Sequence, residues 1–256
     1  QLHFEAACGP DEHNVFVNDS AYLIGAAITA IDFAIELTQV AAVTDQYNVS
    51  KWQDTIRRLS PSLPFDSARQ FHPEFEGMDK SYDHFQAKQA DTLMLQYPLM
   101  FNHSTMTPQA KLNDLLYYSK HSLISPDMTQ AIYSIVALEL NQTSLASSLF
   151  DLAYKRFNFP PYYTWSEKAD GSGNVPYLTS GGGWLQSLTY GYVGIRVLAD
   201  QLRLRPQLPV GVERMALRRL QYCGERIDVE YNATVATVKL SAKMTTATTS
   251  LAAKGT

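Results

Sequence analysis

The chain has 256 residues, 45% of them hydrophobic and 18% charged, with a formal net charge of −4. That is enough apolar material for one large core or one and a half smaller ones. The acidic balance and the absence of a long Lys/Arg cluster exclude a nucleic-acid footprint, and the longest apolar run, residues 21–43, is interrupted by Asp32 and Glu36 and falls short of the ~20 residues of a membrane span.

Residues 21–43 carry Leu23, Ala27, Ile31, Ala34 and Ile35 at helical spacing, which predicts a buried helix. Ser50 is placed to cap a shorter helix over 51–59, and Ser60-Pro61-Ser62-Leu63-Pro64 ends it. Residues 65–87 read as irregular. A helix is predicted from 87 to 97, stopped by Pro98, and another from Thr107-Pro108 to about His121, with Pro in its first turn. Ser125-Pro126-Asp127 opens the next, to about Leu140, and residues 144–157 form one more before Asn158-Phe159-Pro160-Pro161. A last long helix is predicted over 184–199, after glycines 181–183. Then the pattern changes: residues 212–217, 226–230 and 234–240 alternate or are β-branched, with Cys223-Gly224-Glu225 as a turn. The expected architecture is about seven helices at antiparallel hairpin spacing, then a few strands. Its two longest loops, 60–86 and 158–180, hold the chemistry-bearing residues.

Two acidic segments stand out: Gly9-Pro10-Asp11-Glu12, and Trp165-Ser166-Glu167 followed by Asp170-Gly171-Ser172-Gly173. Between them lies Lys88-Gln89-Ala90-Asp91. Separated carboxylates in loops that bend the chain or offer an aromatic wall suit glycosidic bond cleavage. One protonates the leaving oxygen, and the other activates a water on the opposite face of the sugar. The six histidines and two cysteines have no metal-ligand spacing, and there is no nucleophile elbow. Asn18, Asn48, Asn102, Asn141 and Asn232 begin Asn-x-Ser/Thr triplets. Chance supplies a few, and five together point to a secretory route. Cys8 and Cys223 fit either one disulfide or two buried free thiols.

Four segments in order carry a resemblance: Gly9-Pro10-Asp11-Glu12; Phe71-His72-Pro73-Glu74-Phe75-Glu76-Gly77; Lys88-Gln89-Ala90-Asp91 through Tyr97-Pro98-Leu99; and Leu178-Thr179-Ser180 through Gln186. Together they resemble glycoside hydrolase family 65, in its acid-trehalase-like branch. The resemblance implies a mainly all-α fold, the C-terminal half of an (α/α)6 toroid followed by a small β-rich unit. Residues 1–205 would belong to the catalytic toroid, 206–240 to the β-rich domain and 241–256 to a Thr/Ala-rich tail. The missing N-terminal half is the implied partner, as a separate chain or an absent segment, beside a carbohydrate substrate. No cofactor, metal, nucleic acid or membrane span is implied.

By the same resemblance Glu12 is the general acid, kept protonated by burial, and Glu167 the general base of an inverting α-glucosidase. Lys88 and Gln89 bind sugar hydroxyls and Trp165 stacks beside Glu167, while His72 and Glu74 line the pocket entrance or, for His72, hold a loop fold-back. The implied substrates are a glucosyl-galactosyl-hydroxylysine unit of collagen-like proteins, then trehalose, and the implied location is secreted, secretory or lysosomal. A phosphorylase needs no protein base, so Glu167 argues against one. The family's Tyr-His after the acid is replaced in this chain by His13-Asn14, which motivates a different class of reading: an inactive structural or carbohydrate-binding member.

Overall fold

The computed structural model describes residues 1–78 and 84–240, and the backbone of 246–250. Helix α1 (Ala21–Val40) starts at Ser20, whose hydroxyl accepts the Leu23 N–H and so satisfies one open donor of the first turn. Its buried stripe, Ala21, Ile24 and Ile28, packs on Leu59, Leu63, Leu95, Phe101 and Met106. The expectation that no segment reaches spanning length needs correction. By length and composition, this 20-residue helix is long and apolar enough to cross a membrane. Nor is it buried throughout: Phe33, Leu37 and Val40 are exposed.

Helix α2 (Val49–Leu59) is capped by Asn48, not Ser50: the Asn48 side chain accepts the Lys51 N–H. The helix predicted over 87–97 is only a 3₁₀ turn, Thr92–Leu95. The backbone there is committed elsewhere. Ala87 donates to the His121 carbonyl and accepts from Leu123, and the Lys88 N–H donates to Asp11 Oδ1. Helix α3 (Pro108–His121) follows Thr107 as predicted, the threonine hydroxyl capping Ala110.

Helix α4 (Gln130–Glu139) is the centre of the molecule, eight of its ten residues being buried. It forms a hairpin with α5 (Thr143–Lys155) and packs on α3 and on α6 (Leu178–Gln186). A short β1–β2 hairpin (Asn158–Phe159, Thr164–Trp165) lies between α5 and α6. The last helix is therefore earlier than predicted. It includes glycines 181–183 and passes into a π-helical turn, Ser187–Tyr192, instead of running to 199. A second small hairpin, β3–β4 (Arg196–Val197, Leu202–Arg203), is tied to α4 by Arg196 and Arg203, which both pair with Glu139.

The C-terminal unit is a four-stranded antiparallel meander of β5 (Arg214–Tyr222), β6 (Glu225–Asn232), β7 (Val235–Leu240) and β8 (Thr246–Ser250). Cys223 and Gly224 both take positive φ in the two-residue turn between β5 and β6, as a tight hairpin demands. Ile227, Val229 and Tyr231 pack on Val193 and Ile195, and the Tyr231 hydroxyl donates to the Tyr192 carbonyl, docking the sheet on the π turn. Of the tail expected over 241–256, residues 246–250 are strand β8 and the rest lie outside the described residues, as do residues 79–83 of the first long loop. Cys8 and Cys223 are both free and both exposed, so neither the disulfide nor the buried-thiol expectation holds.

Candidate active site

The acid loop, residues 9–14, lies against Lys88-Gln89-Ala90-Asp91 through contacts that span some eighty positions of sequence. Asp11, not Glu12, is the hub. Its Oδ1 accepts the N–H of His13 at 3.1 Å and of Lys88 at 3.0 Å, and its Oδ2 accepts Asn14 Nδ2 at 2.7 Å. The Asp11 N–H donates to Asp91 Oδ2 at 3.1 Å. A Cβ at Gly9 would stand 2.6 Å from that oxygen, so the loop lies on Asp91 too closely for any side chain there. Gln89 donates its amide to the Pro10 carbonyl, closing the contact from the other side.

Glu12 projects outward from this base. It is exposed, and its Oε2 lies 2.5 Å from Lys88 Nζ. The hydrogen bond and charge of Lys88 hold its pKa below the usual carboxylate value. The expectation of an acid raised by burial is thus corrected, because the side chain is in solvent beside a cation. Asn14, at a departure from the family pattern, is integrated into the loop through Asp11 and, at 3.3 Å, Glu74 Oε1.

Glu167 follows β2 and is partly exposed. Its Oε2 accepts the N–H of Asn174 at 3.0 Å and the Asn174 side-chain amide at 2.7 Å. Gly173 makes this turn possible: its φ of +83° suits only glycine, and a Cβ would come within 2.9 Å of Glu167 Cβ and Oε2. Lys88 pairs directly with Glu12 and feels the charge of Glu167. Its pKa is raised chiefly by Glu12, and also by the charges of Asp11 and Glu167. Burial raises the Tyr177 phenol, and the charges of Glu167, Glu12 and Asp127 add to the effect. Asp127, missed in the sequence, donates its N–H to the Glu167 carbonyl, and burial pushes its carboxyl up to about 7.

Trp165 and Tyr177 line an apolar groove of about 410 Å³ with Tyr163, Trp184, Leu178 and Leu185. The Trp165 indole N–H donates to the Ala153 carbonyl, which fixes the ring. His72 and Glu74 are elsewhere. His72 is fully buried, its Nδ1 2.8 Å from Asp114 Oδ2, its Nε2 2.8 Å from Thr105 Oγ1 and its N–H on Asp114 Oδ1. It holds the loop fold-back and does not face a pocket entrance. Glu74 is buried beneath the acid loop, and burial, then the charges of Asp91 and Asp11, raise its pKa well above the usual value. Among the described residues no group of His, Cys, Asp and Glu is arranged to hold a metal ion. All five sequon asparagines are at least partly exposed.

Residues 195–250 match the profile described as "Glycosyl hydrolase family 65, C-terminal domain". The resemblance to glycoside hydrolase family 65 is borne out. The chain is 34% identical over 246 residues to a protein-glucosylgalactosylhydroxylysine glucosidase of Danio rerio, covering 96% of this chain and 35% of that protein. It is 27% identical to a cell wall acid trehalase of Arthroderma benhamiae, covering 90% of this chain and 22% of that one. The chain thus spans about a third or less of the length of these relatives. A solved structure titled a putative kojibiose phosphorylase from human microbiome shares the fold, with a TM-score of 0.71 at 17% identity, over 97% of this chain and 39% of its own.

Proposed function

We propose that the chain is the C-terminal part of an inverting α-glucosidase of family 65, the second half of an (α/α)6 toroid whose first half lies in a missing N-terminal segment. Residues 1–205 would be toroid and 206–240 the core of the β-rich domain. The reading is supported by one arrangement: Glu12 pairs with Lys88, and the charge of Glu167, from a second loop, also favours the charged form of that lysine. Single displacement needs a carboxylic acid on the leaving-group side of the glycosidic bond and a carboxylate on the opposite face, with room between them for a water.

Lys88 binds a glucose hydroxyl when substrate enters, with the indole of Trp165 alongside. Nζ then leaves Glu12, which removes the cause that lowers its pKa and lets it carry the proton to the leaving oxygen. Glu167, held by Asn174, takes the proton from the attacking water. Gln89 serves the sugar indirectly, by holding the acid loop. The substrate is a terminal α-glucose on galactosyl-hydroxylysine of collagen-like proteins, a reading supported by the names of the more similar relatives. Trehalose is the second reading, supported by the acid trehalases. A secreted glycoprotein fits the accessible sequons and the cell-wall relative.

Glucose release from glucosyl-galactosyl-hydroxylysine and from trehalose, offered in parallel to the full-length protein, tests this. Release from the first at tenfold or more the kcat/KM of the second is expected. Release from neither, by a folded protein, would mean that it works as an inactive binding or structural protein.

A further inference from the structure

Beneath the exposed Glu12–Lys88 pair lie three buried carboxyl groups from three separate segments: Asp11, Glu74 and Asp91, each no more than 2% exposed. Asp11 ties down the backbone on both sides of the pair, through the N–H groups of His13 and Lys88. Asp91 accepts the Asp11 N–H, and Asn14 bridges Asp11 to Glu74. One oxygen of Asp91 and one of Glu74 are buried with no partner. Three ionised carboxylates so placed would repel one another, and each proton they share removes a charge and supplies a donor.

We propose that Asp91 and Glu74 are positioning residues that, while protonated, hold Asp11 and through it set Glu12 and Lys88 opposite Glu167. This rests on the hydrolase reading for its catalytic consequence, while the support itself is argued from the burial and contacts of the three carboxyls. The groups facing Asp91 and Glu74 are Asp11 from the acid loop, Tyr118 from α3 and Tyr133 from α4. The tyrosines are pushed up by burial and by these same carboxyls, so they stay neutral, and none of these facing groups is cationic.

Burial pushes Asp91 up to about 7. Its folded pKa lies above the unfolded value, so the folded state holds more protons between roughly pH 4 and 7, and stability falls as pH rises through that window. Asp91→Asn keeps an acceptor for the Asp11 N–H and cannot ionise, while Asp91→Ala removes the acceptor.

In the full-length protein, Asp91→Ala is expected to lower kcat at least ~10-fold with KM changed less than ~3-fold. Asp91→Asn, each profile normalised to its own maximum, is expected to move the alkaline limb of kcat/KM up by about one pH unit. The melting temperature followed from pH 5 to 8 gives a readout without activity: the parent's fall with pH should be smaller in Asp91→Asn. An alkaline limb and a melting slope both unchanged in Asp91→Asn would overturn the proposal. So would an Asp91→Ala variant with the parent's kcat. If the parent releases no glucose, the hydrolase reading fails, and the melting series still decides the support.

Discussion

Glu167→Gln in the full-length protein is expected to lower kcat on the natural α-glucoside by about 10²–10⁴-fold, the usual contribution of a general base, with KM nearly unchanged. Glu12→Gln should lose a similar amount on the same substrate. The two variants separate on α-glucosyl fluoride, whose leaving group needs no proton. Glu12→Gln should recover most of its activity there, because only the acid has been removed. Glu167→Gln should not, because water still needs its base. Steady-state kinetics on both substrates checks this. Recovery by Glu167→Gln in place of Glu12→Gln would exchange the two roles, and full activity in either variant on the natural substrate would remove that residue from the chemistry.

Asp114→Ala should destabilise the protein by about 3–5 kcal/mol, the usual cost of removing one partner of a buried pair. Asp114 is 1% exposed and accepts twice from His72, once from the ring and once from the backbone. Its loss leaves both donors in the interior, in the segment that also carries Tyr118 on the His72 carbonyl. A fall of the melting temperature by about 10 °C is the expected readout. A change below ~1 kcal/mol would show that the fold-back is held by something other than this pair.

Segments with unambiguous local chemistry are legible in the sequence. Helices α1 and α3 follow from apolar spacing and from Thr107-Pro108, and the C-terminal strands from alternation around Cys223-Gly224. Long-range ties override local preference elsewhere. Residues 87–91 have helix formers, yet their backbone is taken by His121, Leu123 and Asp11. Glycines 181–183 look like a break before a helix but lie inside α6. There they let it approach Trp165 and Ala131, a Cβ on Gly183 standing 3.2 Å from the Ala131 Cβ.

The site divides the same way. Glu12, Glu167 and Lys88 stand within the acidic and Lys-Gln segments, and the structure pairs Glu12 with Lys88. Asp11 and Asp91 belong to those segments too, but nothing local distinguishes a buried hub from a loop aspartate eighty positions away from its partner. His72 and Glu74 look like entrance residues because polar residues in a long loop suggest a surface. Their burial depends on Asp114, Thr105 and Asn14, none of which lies in that loop.

Single displacement between Glu12 and Glu167 fixes the anomer of the product, so that anomer is the decisive observable. Proton NMR of the first glucose released from an α-glucoside by the full-length protein, recorded before mutarotation, should show the β anomer. The α anomer in its place would mean retention, a covalent intermediate and a nucleophile close to the sugar, and would contradict the roles of Glu12 as acid and Glu167 as base.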